Sequence, residues 1–227
     1  GKVFQVSRER ECKDGCFVKD GKIVLSMNKI PPRATLGRDD NEEKKEEIVI
    51  IDVKDIRLLG EHNLENVCAA VMAATLAGVS KQSIASVLKT FKGLEHRLEF
   101  VGQKNGVEFY NDSLATLPKA TIEALEALPE TETLIAGGYD RGLDYTPLGE
   151  QLVKTHVRTL ILFPPTGEKI WQAVCKVMSE ASRPEKFDVI TMKQAVRIAK
   201  AKTSPGKICL LSPASASLGM FINYRIR

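Results

Sequence analysis

Asn111-Asp112-Ser113 closes an alternating stretch, Val107-Glu108-Phe109-Tyr110, and is followed by Leu114-Ala115-Thr116-Leu117-Pro118 and a helical pattern over 120–128. A strand that turns into a helix through small polar residues is a ready place to hold an anion. The N–H groups at the helix start lack intrahelical partners, and the helix dipole favours negative charge beside them. An ordinary strand–turn–helix, with Thr116 as N-cap and Pro118 in the first turn, uses the same residues without any ligand.

Four other segments carry polar groups at spacings that suit small anionic or heterocyclic ligands. In Gly60-Glu61-His62-Asn63-Leu64-Glu65-Asn66 the two asparagines are three apart, on one face of a predicted helix. Each amide offers a donor and an acceptor, which can read a heterocycle edge; Asn63 serves equally well as an N-cap. Arg97, in Leu94-Glu95-His96-Arg97-Leu98-Glu99, has a guanidinium fork suited to phosphate, or to a surface ion pair with Glu95 or Glu99. Gly137-Gly138-Tyr139-Asp140-Arg141-Gly142 lacks the spacing of a dinucleotide fingerprint but sets one arginine on a tight turn. Ser212-Pro213-Ala214-Ser215-Ala216-Ser217 is expected to open a helix, where a carboxylate could dock on N–H groups and on Ser217. The serines are not arranged as G-x-S-x-G, and three histidines leave little for a Ser-His-Asp triad.

The elements that must position these residues fall into two patterns. Up to residue 93 the chain reads as short strands and two helices. A hairpin turns at Asp20-Gly21, a charged loop spans 38–47, and a strand covers 47–53. A helix then runs from Asn63 to a stop at Gly78, and a second covers 81–90. From 94 to 227 a hairpin with its turn at Lys104-Asn105-Gly106 leads into alternating strands and helices. Apolar runs at 133–138, 159–163, 187–190 and 207–211 are separated by helical patterns at 146–154, 167–181 and 193–202. That alternation predicts an α/β fold with a doubly wound, mostly parallel sheet, whose ligands gather at the carboxyl ends of the strands. Domains are therefore expected at 1–93 and 94–227.

Composition narrows the class. The chain has 227 residues, 43% hydrophobic and 27% charged, with net charge +4 from 33 basic and 29 acidic side chains. The lysines are scattered, so nucleic-acid binding gains no support. Five cysteines, three in apolar patterns, read as reduced thiols in a cytoplasmic protein; Cys12 and Cys16 lack the further ligands of a metal site. No apolar run reaches the length of a membrane span.

Taken together, Gly60–Asn66, Glu95-His96-Arg97, Asn111–Thr116, Gly137–Gly142 and Leu211–Ser217 resemble, in order and spacing, the Mur ligases. Residues 1–58 carry little of the likeness. The resemblance implies the tail of a central ATP-binding domain followed by a Rossmann-like, amino-acid-binding domain. The phosphate loop and the magnesium-binding residues would lie upstream, so a piece of a longer enzyme is expected. Asn63 and Asn66 would contact the adenine side of ATP, and Arg97 and Asp112 its phosphates and ribose. Thr116, Arg141, Ser217 and Tyr224 would hold D-glutamate for joining to UDP-N-acetylmuramoyl-L-alanine through an acyl phosphate. The chain departs from the family at Leu114, where lysine is common, and at Leu117, where asparagine is; Arg141 is the cation available to compensate. Other readings are a related ligase for a different amino acid, such as a folylpolyglutamate synthase, and a non-catalytic Rossmann-like binding module.

Overall fold

The computed structural model describes residues 3–27, 46–218, 221, 223 and 224. The chain divides into two compact units, Gly1–Lys92 and Gly93–Arg227. Of the charged run at 38–47, residues 38–45 lie outside the described residues.

In the first unit a four-stranded sheet is ordered β1 (Gln5–Ser7), β2 (Gly15–Lys19), β3 (Lys22–Met27), β4 (Glu46–Asp52). The β2–β3 hairpin turns through Asp20 and Gly21, both at positive φ (49° and 69°), as a two-residue turn between twisted strands requires. The three-residue β1 pairs parallel to β2. Helices α1 (His62–Leu76) and α2 (Lys81–Thr90) bury Val67, Val71, Met72, Ile84 and Leu88 with strand residues Ile23, Leu25, Ile50 and Ile51.

The second unit is a six-stranded sheet. It comprises β5 (Glu99–Lys104), β6 (Val107–Asn111), β7 (Thr131–Gly137), β8 (Thr159–Phe163), β9 (Glu185–Asp188) and β10 (Ile208–Leu211), in the order β5-β6-β10-β7-β8-β9. Only the β5–β6 pair is antiparallel. Its turn, Asn105-Gly106, again has both residues at positive φ (53° and 79°). The helices are α3 (Pro118–Ala127), α4 (Thr146–Leu152), α5 (Thr166–Val177) and α6 (Met192–Lys202).

Alternate residues of the central strands serve opposite faces. Leu134, Ala136, Leu160, Leu162 and Leu210 pack with residues of α3, α4 and α5. Ile135, Ile161, Phe163 and Cys209 pack with Ala195 and Ala199 of α6. This is the doubly wound α/β sheet that the apolar runs predict. A fully buried leucine stabilises by about 1.5–3 kcal/mol, and strands buried on both faces collect that on each side. Two helices end earlier than their periodicity suggests: α4 stops at Leu152 and α5 at Val177, the latter followed by a 3-10 turn, Glu180–Ser182.

Candidate functional site

Strands β6, β10 and β7 are neighbours and run parallel, so the loops that leave them open on one edge of the sheet. Backbone hydrogen bonds lace these loops together. Asp112 N donates to Leu211 O (2.8 Å), Ser212 N to Ile135 O (3.1 Å), Gly137 N to Pro213 O (2.8 Å) and Tyr139 N to Ala216 O (2.9 Å). The segments singled out at Asn111–Thr116, Gly137–Gly142 and Ser212–Ser217 are thereby adjacent.

Asp112 is fully buried. Its Oδ1 accepts the Leu98 N–H (3.2 Å) and lies 3.5 Å from Arg97 Nη1, while Oδ2 accepts the Ser212 hydroxyl (2.9 Å). Burial pushes its pKa up from 3.8 to about 6; the Arg97 charge and the bonds from Ser212 and Leu98 oppose that rise without cancelling it. What the carboxylate holds is a strained segment. His96 and Leu98 both have positive φ, 63° and 47°, a conformation that costs a non-glycine residue about 1–2 kcal/mol. Glu99 adds a second tie, accepting the His96 N–H (2.8 Å) and the Asn111 side-chain amide (3.3 Å). Arg97, partly exposed, lies against Asp112 and Glu123 (3.8 Å), two carboxylates on its own unit.

The expected anion cradle at the end of β6 is corrected by its hydrogen bonds. The amides of residues 112–116 are all taken: Asp112 by Leu211 O, Ser113 by Asn111 Oδ1, Leu114 by His96 O, Ala115 by Asp112 O and Thr116 by Leu114 O. The backbone of this loop therefore has no free amide among residues 112–116 to offer an anion. Thr116 is not the N-cap either. Leu117 occupies that position without a side-chain cap, and the helix begins at Pro118, which has no N–H. Half-buried Thr116 lies two residues before that helix.

A second correction concerns the serine run. Residues 212–218 form no helix; Ala214 takes a positive φ of 54° and Ala216 bridges to Tyr139. The run is pinned as an extended loop between its neighbours. Ser217 is nearly buried, at 8% exposure, and its carbonyl accepts the Phe221 N–H (3.1 Å). Tyr224 comes back to the β6 loop: its carbonyl accepts the Ser113 hydroxyl (2.7 Å) and its ring stands edge-on to His96 with centroids 5.6 Å apart.

The glycine turn is built by exclusion. Gly137 has φ +97°, and a Cβ there would lie 2.2 Å from Phe163 O of the adjacent strand. No other residue fits. Beyond it Asp140 pairs with Lys169 (2.6 Å) and accepts the Gly142 N–H (2.9 Å), and the Lys169 bond holds its carboxyl below the usual range. Arg141 is exposed, and among the described residues no carboxylate pairs with it. A cation on a stiff turn, with its neighbouring acid already neutralised, is suited to a carboxylate brought from outside.

Asn63 and Asn66 belong to the other unit, on the first turn of α1. Asn66 Nδ2 donates to Asn63 Oδ1 (3.1 Å) and Asn63 Nδ2 to Leu59 O (2.6 Å). The N-cap of that helix is Glu61, so capping does not account for Asn63. Sequence reasoning missed Tyr145, Thr166 and Ser215, buried hydroxyls that knit the glycine and serine loops; a threonine directly after Pro164-Pro165 at a helix start was the available signal. Among the described residues no group of three His, Cys, Asp or Glu is placed to hold a metal ion.

Comparison with known proteins places this arrangement. A family model described as the Mur ligase, glutamate ligase domain, matches residues 96–215, from the strained His96 to Ser215 of the serine loop. The chain belongs to the Mur ligase family. Among its relatives in that family, the UDP-N-acetylmuramoylalanine–D-glutamate ligase of Thermoanaerobacter sp. (strain X514) is 42% identical over 232 residues, covering all of this chain and 46% of the relative. The protein of the same name from Caldanaerobacter subterraneus subsp. tengcongensis is 40% identical, again over the whole chain and 45% of the relative. The chain thus spans about half the length of the curated Mur ligases it matches. In fold it is similar to MurF from Acinetobacter baumannii (TM-score 0.58, 16% identity, 88% of this chain and 42% of that one). It is also similar to MurC from Thermotoga maritima (TM-score 0.55, 13% identity, 86% of this chain and 40% of that one).

Proposed function

We propose that this chain is the amino-acid-receiving part of an ATP-dependent ligase that joins D-glutamate to UDP-N-acetylmuramoyl-L-alanine in the cytoplasm, for peptidoglycan synthesis. The observation that carries the reading is identity of 42% across the entire chain, both units included, with a protein bearing that name. In the reaction, a carboxylate oxygen of UDP-N-acetylmuramoyl-L-alanine attacks the γ-phosphorus of ATP and ADP leaves. The D-glutamate amine then attacks the acyl carbon, phosphate departs and the amine gives up a proton. The protein's share is positioning and charge neutralisation.

In this reading Arg141 receives a D-glutamate carboxylate, with Thr116, Ser217 and Tyr224 around it. Its exposure and its lack of a described carboxylate partner support that role. Arg97 faces the ATP phosphates. Asp112, buried and fully engaged, acts chiefly by fixing the Arg97 segment, which refines the ribose contact expected from sequence. Asn63 and Asn66 serve the adenine. Magnesium is assigned no residue and no step on this chain. No described helix is long and apolar enough to cross a membrane.

The test is ADP release by the longer enzyme that carries this chain, with UDP-N-acetylmuramoyl-L-alanine and either D- or L-glutamate. Turnover with D-glutamate alone supports the reading. Turnover with a different amino acid moves the chain to another branch of the family, and none with any amino acid favours a binding module.

A further inference from the structure

Tyr145, Thr166 and Ser215 are buried (3%, 0% and 0% exposed) and come from three separate parts of the second unit. The Tyr145 hydroxyl lies 2.8 Å from Ser215 Oγ, and Ser215 Oγ lies 2.8 Å from Thr166 Oγ1. Thr166 Oγ1 accepts the Gly138 N–H (2.8 Å) and donates to Gly138 O (3.0 Å). The three hydroxyls form a continuous row that ends on both polar groups of a single glycine. The Thr166 backbone N–H adds a further bond to Gly138 O (3.3 Å).

Gly138 stands just before the turn that bears Arg141, and it has a φ of 150° and no side chain to anchor it. Leaving such a residue loose costs about 1–2 kcal/mol of ordering when a ligand arrives. The row removes that freedom beforehand. Its middle member, Ser215, sits two residues before Ser217, so the same bonds tie both loops that would face the amino acid.

We infer that Thr166, with Ser215 and Tyr145 behind it, is a positioning residue for amino-acid binding: it preorganises the Arg141 turn and the Ser217 loop so that the incoming dicarboxylate meets them already aligned. The inference rests on the D-glutamate reading above and deepens it by naming what sets the affinity.

The experiment compares Thr166→Val, Thr166→Ser, Ser215→Ala and Arg141→Ala in the longer enzyme, measuring KM for D-glutamate and for ATP separately. Loss of one buried hydroxyl link is worth about a factor of ten, so Thr166→Val should raise the D-glutamate KM by about that much. The ATP KM should stay within about twofold, since the ATP contacts of the reading lie elsewhere. Thr166→Ser should restore the D-glutamate value, and Ser215→Ala should raise it by a smaller factor. If Thr166→Val does not fold, Ser215→Ala decides, because it removes the hydroxyl link between the two loops while keeping Thr166 on Gly138. A normal D-glutamate KM in the folded variants, or an equal rise in both KM values, overturns the inference. Arg141→Ala separates the two failures. If it raises the D-glutamate KM while the hydroxyl variants do not, only the inference falls; if it too has no effect, the D-glutamate reading falls with it.

Discussion

Asp112 is the side chain where physics and sequence diverge most usefully. By type and position it reads as a ligand contact, yet the fold buries it and spends its oxygens on Leu98, Ser212 and Arg97. Its pKa, near 6, lies above the value near 3.8 expected in the unfolded chain, so the fold disfavours the charged form. That cost is fully present above about pH 6 and is relieved as pH falls from about 6 toward 3.8. The gap corresponds to about 3 kcal/mol. A carboxyl-carbon NMR titration should therefore find a midpoint near 6, and Asp112→Asn should flatten the dependence of stability on pH between about 4 and 6. A midpoint below 4 would mean that Arg97 and the hydrogen bonds outweigh burial. Arg141 makes the opposite case, since it lies in the open with its acidic neighbour already paired to Lys169. Removing a charge-assisted contact costs about 1.5–3 kcal/mol, so Arg141→Ala should raise the D-glutamate KM by about 10- to 100-fold; an unchanged KM removes the residue from the site.

At the level of elements, the helices are held by contacts that local propensity does not show. A glycine inside a helix ordinarily gives way to alanine with a gain of about 1 kcal/mol. Gly149 of α4 should do the reverse. A Cβ there would lie 2.8 Å from both the backbone carbon and oxygen of Ala173 on α5, and backbone cannot swing aside. Gly149→Ala is expected to lose about 1–3 kcal/mol in urea unfolding, and a gain would show that the two helices separate without cost. Helix α6 tests a local device: Thr191 accepts the Gln194 N–H while the Gln194 side chain accepts the Thr191 N–H. Thr191→Ala should cost about 1 kcal/mol and speed hydrogen exchange in the first turn of α6, with slower effects elsewhere. Such elements were legible in the sequence. Asp20-Gly21 and Asn105-Gly106 announce their hairpins, and the runs at 159–163 and 207–211 announce buried strands. The serine run misled because small hydroxyl residues suit a helix start and an extended loop equally. Only the bridge from Ala216 to Tyr139 chooses between them, and that pairing is remote in sequence.

For the whole molecule, the decisive feature is a topology that no local pattern states. The last strand, β10, inserts between β6 and β7, and this brings loops from residues 112, 138 and 212 to one edge. Apolar periodicity says that each run is a strand but says nothing about which strands are neighbours, so the adjacency behind the candidate site is set by tertiary pairing alone. The hydroxyl row from Tyr145 to Gly138 depends on the same insertion and was illegible for the same reason. Chain content sets what this molecule can do unaided. In P-loop enzymes a glycine-rich loop cradles the ATP phosphates with its N–H groups and lysine, and no G-x-x-x-x-G-K-[ST] segment occurs among the 227 residues. Arg97 alone, already lying against Asp112 and Glu123, is a poor substitute for that cradle. The 227-residue chain should therefore release no ADP above background when mixed with ATP, D-glutamate and UDP-N-acetylmuramoyl-L-alanine. The Arg141 turn needs nothing beyond the second unit, so D-glutamate at millimolar concentration should still move the amide signals of residues 138–142 and 215–217 more than L-glutamate does. ADP release by this chain at the rate of the longer enzyme would place the phosphate site within these residues and overturn the division of labour between the two parts.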